Sequence, residues 1–373
     1  MSATDAGDVP RPSRSYGLKA LLWLALAAGA IFSVAAQEAP DASAEETAAF
    51  AAFLSEMRVA AVNRGIRNET LDAVLPGISL HRRAVQADRA QAEFVETYET
   101  YLTRRLTPQR IAQGRALLAE HGEMIRRVAA EYDVQPRFVV AIIGLESNYG
   151  TYPINEPLFD VVATLAFDGR RGAQFRAQFL AGLEIVDKGL ATAEQMKSSW
   201  AGALGVPQFT PTNVLEIAVD HDKNGRIDLW SVGPDVIASV ARYLKRWDWR
   251  DDQTWGREVA LPPGGEERLA APMADGMTPP NLCRNYQSLG AFRGLEDWQA
   301  LGVRRADGGD LPTRNLPAAL IVGDVGDDRG WLVYRNFCSL MRYNPAFRYA
   351  LSVGLLADAV AGENHVAAPS PTP

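Results

Sequence analysis

The chain has 373 residues, 47% of them hydrophobic and 22% charged, a composition ordinary for a globular protein of one large or two smaller domains. Its 45 acidic side chains outnumber 38 basic ones, and the net charge of −7 argues against a protein that binds nucleic acid along its phosphates. Four scattered histidines and two cysteines cannot build the usual His/Cys metal centres.

The N-terminus has the features of an export signal. Arg11, Arg14 and Lys19 precede an uncharged stretch, 20–36, that ends in small residues. We therefore interpret residues 1–36 as a signal peptide and expect a periplasmic protein. An uncleaved inner-membrane anchor is the alternative, because about 17 apolar residues are the lower limit for crossing a bilayer. No cysteine follows the apolar stretch, so lipid attachment there is excluded.

Residues 37–256 have the periodicity of a large helical domain. Ser43–Glu46 forms a capping box that opens a first helix, and Thr107-Pro108 opens another. Apolar side chains recur at helical spacing in three stretches: Phe50, Phe53, Leu54 and Met57; Phe94, Tyr98, Tyr101 and Leu102; Ile111, Leu117, Leu118 and Ile125.

The residue pattern of the sequence changes after Trp255. Clusters of Pro and Gly separate short apolar runs such as Ala318–Val322 and Trp331–Tyr334, which predicts a small β-rich insertion over 257–334. Helical spacing resumes over 335–361, which we expect to complete the helical domain. The Pro-rich tail, 362–373, is predicted to be disordered.

Cys283 and Cys338 lie 55 residues apart in a chain expected to be exported, where disulfides persist. A bridge would stabilise the fold by about 4 kcal/mol on the chain-entropy model. Two buried free thiols are the alternative, and the sequence does not decide between them.

Glu146 ends the strongly apolar run from Phe138 and precedes the polar turn 147–150. Burial among apolar side chains raises the pKa of a carboxyl group, as a general acid working near neutral pH requires. A helix-end glutamate paired with an arginine would give the same pattern.

Arg170 and Arg171 follow the apolar run Thr164–Phe167. Paired arginines in an acidic protein could orient a carboxylate such as the lactyl group of a muramic sugar. A solvated helix start with a local ion pair is an equal alternative.

Ser199–Pro211 combines small residues with Trp200, Gln208 and Phe209. The small residues allow close approach of a ligand, the aromatic rings could stack on sugars, and the amide could bond a sugar substituent or a water. A tight loop with packed aromatic side chains is the alternative.

Within the segment 220–230, residues 220–228 match the first nine positions of an EF-hand calcium loop. Asp220, Asp222, Asn224 and Asp228 supply oxygens at positions 1, 3, 5 and 9, with glycine at position 6. Ser231 stands where the bidentate glutamate should be, and Asp235 in the next helix could close the shell instead. An Asx-rich turn without metal is the alternative.

Taken in order, these motifs resemble those of the MltB-type lytic murein transglycosylases, glycoside hydrolase family 103. The resemblance covers about residues 45–360 and rests on Gly144–Gly150, Thr164–Arg171, Ser199–Phe209, Asp220–Trp230 and Arg342–Asp358. It implies a mainly α fold, a lysozyme-like helical domain with a small inserted β-rich domain. Gln174, Ser198 and the segment Thr210–Asn213 depart from the family pattern, which affects the expected substrate contacts more than the chemistry.

The resemblance also implies roles for residues. Glu146 matches the single catalytic acid and base. The groups expected to contact the glycan are Ser199, Gln208, Arg170, Arg171, Tyr101, Tyr243, Tyr343, Asn344 and Tyr349. The expected calcium ligands are Asp220, Asp222, Asn224, the Arg226 carbonyl and Asp235, in a structural role, with no cofactor needed for catalysis.

The implied reaction cleaves the β-1,4 bond between N-acetylmuramic acid and N-acetylglucosamine and forms a 1,6-anhydro ring. Two alternatives stay open: a muramidase using Asp160 or Asp168 as second carboxylate, and a non-catalytic wall-binding protein. The expected partners are peptidoglycan strands and cell-wall enzyme complexes, with no nucleic acid, and the protein is expected to be a monomer.

Overall fold

The computed structural model describes residues 43–90, 96–265, 269, 277–324 and 328–362. The expected signal peptide, Phe94 and the tail beyond Gly362 lie outside these ranges. In the part of the chain that the structure describes, no helix combines the length and the apolar character needed to cross a membrane.

Helices dominate the fold, which confirms the predicted mainly α class. The described α-helices are α1 (Ala44–Asn63), α2 (Asn68–Val74), α3 (Arg82–Ala90), α4 (Tyr98–Arg105), α5 (Pro108–Ala130), α6 (Pro136–Ser147), α7 (Leu158–Asp168), α8 (Gly172–Asp187), α9 (Pro211–Ile217), α10 (Pro234–Arg246), α11 (Leu295–Ala300), α12 (Arg335–Tyr343) and α13 (Phe347–Ala361).

Both predicted helix starts are confirmed by their caps. The Ser43 hydroxyl accepts a hydrogen bond from the Glu46 N–H at 3.1 Å. The Thr107 hydroxyl accepts one from the Arg110 N–H at 3.2 Å, and Pro108 occupies the first helical position, where its missing N–H costs nothing.

Helix α6 lies at the centre of the larger core. Every residue from Phe138 to Ser147 is buried, as expected for a helix that is apolar on all sides. It packs against α5, α10 and α13. Because α13 is buried nearly throughout, its side chains and those of α6 meet without intervening solvent.

The strands form two antiparallel sheets. A two-stranded sheet pairs β1 (Glu156–Pro157) with β2 (Lys197–Ser198). A five-stranded sheet has the order β4-β6-β7-β3-β5, with strands β3 (Gly256–Ala260), β4 (Phe292–Arg293), β5 (Arg304–Arg305), β6 (Ala318–Val322) and β7 (Arg329–Val333). This larger sheet has a separate small core around Val259, Trp298 and Leu332.

Cys283 and Cys338 are joined by a disulfide, which decides between the two alternatives left open by the sequence. Both cysteines are buried. The bond ties the segment before β4 to helix α12, so it links the β-rich part of the chain to the helical core.

Candidate active site

Glu146 lies in the last turn of α6, where the chain reverses sharply. Asn148 adopts a left-handed conformation with φ of 49°, and the Gly150 N–H donates to the Ser147 hydroxyl at 3.0 Å. This turn holds the glutamate at the end of an apolar helix, with the residue only 8% exposed.

Two neighbours act on the Glu146 carboxyl group. The Tyr349 hydroxyl donates a hydrogen bond to Oε1 at 2.5 Å, and the guanidinium of buried Arg105 contributes positive charge. Burial is the largest influence and raises the pKa of Glu146 to about 7, although both neighbours lower it. The group therefore exchanges its proton near neutral pH, as the sequence analysis expected of an acid catalyst.

Three of the tyrosines expected at the site form one aromatic cluster beside Glu146. The ring centroids of Tyr243 and Tyr343 lie 4.6 Å apart, and those of Tyr343 and Tyr349 6.4 Å apart. The Tyr343 hydroxyl donates to the Pro207 carbonyl at 2.6 Å and that of Tyr243 to the Arg342 carbonyl at 2.5 Å. Burial raises the pKa of all three phenols, so they remain neutral donors.

Helix α4 places Tyr101 and Arg105 on one face, four residues apart. The Arg105 guanidinium carbon lies 5.4 Å from the centre of the Tyr101 ring. The helix is anchored to the β-rich part, because the Asp324 carboxylate accepts hydrogen bonds from the Tyr98 and Glu99 N–H groups at 2.8 and 3.0 Å. Arg105 was not predicted, because its four-residue spacing from Tyr101 indicates a shared helix face but not the approach to Glu146.

Arg110 is a second arginine near the Glu146 turn that sequence reasoning missed. It is buried, and it donates to the Arg105 carbonyl at 2.5 Å, to the Tyr152 hydroxyl at 2.8 Å and to Asn148 Oδ1 at 3.3 Å. It thereby ties the end of α4 to the turn that follows Glu146. No local pattern marks this role, because Asn148 and Tyr152 lie about 40 residues away in the chain.

Ser199 and Gln208 lie in a tightly folded loop. The Ser199 N–H donates to the Ala203 carbonyl at 2.8 Å, and Gln208 Nε2 donates to the Gly205 carbonyl at 2.8 Å. Gly205 has φ of 61°, and a Cβ there would lie 2.1 Å from the Leu229 carbonyl oxygen. Only glycine fits here, so this small residue, predicted to allow close approach of a ligand, is required for packing against the Leu229 backbone.

The remaining predicted residues have protein partners. Asn344 is buried, and its Oδ1 accepts from the Ala346 N–H at 3.1 Å. Arg170 and Arg171 both bond the carboxylate of buried Asp88, Arg170 Nε at 2.5 Å. Burial alone would raise the pKa of Asp88, but the two arginines outweigh it and lower that pKa. The carboxylate that they orient is therefore Asp88, which the sequence analysis did not identify.

The two candidate second carboxylates have other partners. Asp160 Oδ1 accepts from the Ser79 N–H at 3.2 Å, and Asp168 pairs with Arg89 at 2.5 Å. Neither is among the described groups that shift the pKa of Glu146. The site therefore presents one buried carboxyl group within a cluster of phenols.

Comparison with known proteins places the chain in a family. A family model described as the transglycosylase SLT domain matches residues 49–358. This chain belongs to that family. The family resemblance inferred from the ordered motifs is thereby confirmed.

Individual relatives of this chain agree with that placement. The chain is 31% identical over 271 residues to membrane-bound lytic murein transglycosylase B of Escherichia coli, covering 70% of this chain and 66%, just under two thirds, of that protein. SltB3 from Pseudomonas aeruginosa, solved with NAG-anhNAM-pentapeptide, superposes with a TM-score of 0.77 at 38% identity, covering 86% of this chain and 82% of that one. The Escherichia coli lytic transglycosylase Slt35 with calcium gives 0.65 at 25% identity, covering 84% and 92%.

The segment 220–235, called here the acidic loop, brings three carboxylates together. Oxygen atoms of Asp220, Asp222 and Asp235 lie within 4.8 Å of one another. Asp220 accepts from the Asn224 and Gly225 N–H groups at 3.0 and 2.8 Å. Asp235 accepts from the His221 and Asp228 N–H groups at 2.8 and 2.9 Å. These oxygens suit a hard cation such as Ca²⁺, and Asp235 adds a carboxylate to a loop that has Ser231 in place of the terminal glutamate.

Proposed function

We propose that this protein is a lytic transglycosylase that cleaves the β-1,4 bond between N-acetylmuramic acid and N-acetylglucosamine in peptidoglycan. The observation that carries the proposal is the carboxyl group of Glu146, which is buried within the cluster of phenols and has its pKa raised to about 7. Family membership supports the reaction class. The product end is 1,6-anhydro-N-acetylmuramic acid, and no cofactor takes part.

In the proposed reaction, Glu146 acts first as acid and then as base. Its neutral form protonates the glycosidic oxygen as the bond to C1 breaks, and the acetamido oxygen of the same sugar stabilises the developing cation. The ionised glutamate then removes the proton from the C6 hydroxyl, whose oxygen attacks C1. The proton returns to Glu146 and water is not consumed. A pKa of about 7 suits both directions of transfer.

The partners of Asp160 and Asp168 argue against a two-carboxylate mechanism. A nucleophile would need to lie about 5 Å from the acid, or a base about 6.5–9.5 Å away. Asp168 is paired with Arg89, and Asp160 is bonded to the Ser79 backbone. Participation by the substrate's own acetamido group is a recognised alternative to the second carboxylate.

We assign glycan contacts to Ser199, Gln208, Asn344, Tyr101 and the cluster of Tyr243, Tyr343 and Tyr349, and, through their outer surfaces, to Arg170 and Arg171. The Arg170 side chain remains 48% exposed despite its bond to Asp88, so it can still meet a ligand. Orientation of the glycan by these contacts supplies the part of the rate enhancement that general acid–base catalysis does not.

The acidic loop is proposed to bind Ca²⁺ through Asp220, Asp222, Asn224, the Arg226 carbonyl and Asp235. The ion would stabilise the folded loop and would not take part in the reaction. The clustered carboxylates of this chain support the assignment.

We further propose export through residues 1–36 and action in the periplasm as a monomer. The substrate is peptidoglycan strands that carry peptides, and other cell-wall enzymes are candidate partners. The complex of SltB3 with NAG-anhNAM-pentapeptide supports the choice of a peptide-bearing glycan.

Digestion of purified sacculi tests the reaction. Mass spectrometry of the soluble products should find anhydro ends that resist borohydride reduction. Reducible ends would identify a muramidase and contradict the single-glutamate mechanism. Release of no fragments would favour the wall-binding alternative.

A further inference from the structure

The turn that follows Glu146 has an unusual backbone. Asn148, Tyr149 and Gly150 adopt left-handed conformations in succession, with φ of 49°, 59° and 80°. Glycine adopts this conformation freely and asparagine tolerates it, but for a bulky residue such as tyrosine it costs conformational energy. Such strain persists only where the surrounding structure enforces it, and it concentrates at functional sites. Tyr149 is therefore the residue of this turn whose conformation needs an explanation.

The Tyr149 side chain fills a slot between helices α5 and α6 that two glycines leave open. A Cβ on Gly144 would lie 2.6 Å from Cζ and from the hydroxyl oxygen of Tyr149, and a Cβ on Gly114 would lie 2.5 Å from the same oxygen. Both glycines are buried in their helices. A larger residue at either position would compete with the ring for this space, which we call the glycine slot.

Arg110 holds the turn through its backbone and its side chain. Its carbonyl accepts a hydrogen bond from the Tyr149 hydroxyl at 2.9 Å, and its guanidinium donates to Asn148 Oδ1 at 3.3 Å. Arg110 lies in α5, so these bonds tie the turn to a helix other than the one that carries Glu146. The packing in the glycine slot and the bonds to Arg110 together offset the strain at Tyr149.

Tyr149 influences Glu146 through position and not through charge. In the described part of the chain, the charged and titratable groups that face Glu146 come from α4, α10, α12 and α13, and they are Arg105, Tyr243, Tyr343 and Tyr349. Tyr149 is not one of the groups that shift the pKa of Glu146. Only two residues separate it from Glu146, however, so a displaced Tyr149 would move the last turn of α6.

We propose that Tyr149 is a positioning residue, whose ring in the glycine slot holds the left-handed turn and thereby keeps the Glu146 carboxyl group buried where it transfers its proton. The inference rests on the proposed function, because this position matters only if Glu146 is the acid and base. A displacement of about 1 Å can lower a catalytic rate about 10²-fold.

A measurement that does not depend on turnover tests the position directly. The titration of Glu146 can be followed by ¹³C NMR in full-length protein labelled at its glutamate side chains, with Glu146→Gln identifying the signal. Tyr149→Ala should lower the pKa of Glu146 by about 1, because a relaxed turn admits water to the carboxyl group. Tyr149→Phe retains the ring and should leave that pKa unchanged. An unchanged pKa in Tyr149→Ala would overturn the inference.

The rate at which anhydro fragments are released from soluble, uncross-linked peptidoglycan is the second readout. Tyr149→Ala should lower kcat about 10²-fold with little change in KM, since Tyr149 is not among the residues assigned to the glycan. Tyr149→Phe should restore most of the rate. Tyr149→Gly should be intermediate, because glycine adopts the left-handed conformation without strain but leaves the slot empty. A change in KM alone would contradict the positioning role.

Gly144→Ala displaces the ring without removing it. The new Cβ would occupy the glycine slot, so kcat should fall about tenfold even though alanine favours a helix. In the Tyr149→Gly protein the same change should have little effect, because no ring remains to be displaced. Additive losses in the double variant would overturn the role of the slot.

Trp298→Phe is the matched control for a loss of folding stability alone. Trp298 is buried in the separate small core, and its Nε1 donates to the Ala318 carbonyl at 3.0 Å, much as the Tyr149 hydroxyl donates to that of Arg110. This variant should lower Tm and leave kcat and the pKa of Glu146 unchanged. A Tyr149→Ala protein that lost Tm alone would overturn the inference. Absence of anhydro ends from sacculi would instead contradict the proposed function, whatever the NMR titration showed.

Discussion

Glu146 and the acidic loop place the same functional group in opposite environments. Glu146 is a lone carboxyl among apolar and phenolic side chains, and burial raises its pKa to about 7. In the loop, Asp220 and Asp222 lie close to Asp235, and backbone N–H groups orient their oxygens. A carboxyl group that is withdrawn from water holds its proton near neutral pH, whereas several carboxylates close together suit a metal ion.

The two sites also differ in how far apart in the chain their contacting residues lie. Glu146 depends on distant segments, since Tyr349 is 203 residues away in the chain. The loop organises itself within about 15 residues, because Asp220 bonds the N–H groups of Asn224 and Gly225, and Asp235 bonds those of His221 and Asp228. A proton site therefore requires the whole fold, and a cation site requires little more than its loop.

Replacing Glu146 with Gln gives the largest expected effect. The amide can still accept the Tyr349 hydrogen bond but cannot transfer a proton, so turnover should fall by at least about 10³-fold. Release of anhydro fragments from sacculi measures it. The matched change Glu123→Gln, on the exposed face of α5, should leave the rate unchanged. A Glu146→Gln protein that retained a few per cent of activity would contradict the single-glutamate mechanism.

The same substitution should change the pH dependence of stability. The folded protein retains a proton on Glu146 between pH 4.5 and about 7 that the unfolded chain releases, so stability falls as pH rises through this window. The loss amounts to about 3 kcal/mol. The Glu146→Gln protein does not show this loss. Its free energy of unfolding, measured by urea denaturation, should therefore rise by about 3 kcal/mol relative to that of the wild type between pH 4.5 and 8. Parallel pH profiles would indicate that the carboxyl is not buried in solution.

Much of this contrast could be predicted from sequence. The apolar run before Glu146 indicated a raised pKa, and the oxygen spacing from Asp220 indicated a cation loop, because both signals are local. The ordered motifs indicated the family and the mainly α fold, which the structure and the comparisons confirm.

Contacts between distant segments could not be predicted. Arg105 beside Glu146, Arg110 beneath the turn and Asp88 beneath the paired arginines each depend on how helices pack, which no local spacing encodes. The disulfide was undecided for the same reason, since 55 residues separate its cysteines. The roles of individual residues in glycan and calcium binding stay predictions.

Calcium should stabilise the loop without affecting the chemistry at Glu146. At free Ca²⁺ one hundred times its Kd, binding contributes about 2.7 kcal/mol, or on the order of 5 °C in Tm. EDTA should remove this stabilisation from the wild type and from the control Asp310→Asn, whose side chain is 78% exposed and lies outside the loop. It should have no effect on Asp222→Asn. Asp235 is unsuitable for this test, because its backbone hydrogen bonds support the loop with or without an ion.

The smallest expected effect comes from the Tyr349 hydroxyl, which separates the influence of a hydrogen bond from that of burial. This bond lowers the pKa of Glu146, so Tyr349→Phe should raise it further. Because the acid step needs protonated Glu146, the alkaline limb of kcat/KM should move upward by a few tenths of a pH unit. Tyr343→Phe removes a hydroxyl from the same aromatic cluster, but that hydroxyl bonds the Pro207 carbonyl, so the limb should shift less. Equal shifts in the two variants would mean that general polarity of the cluster, and not the direct bond, tunes the catalytic proton.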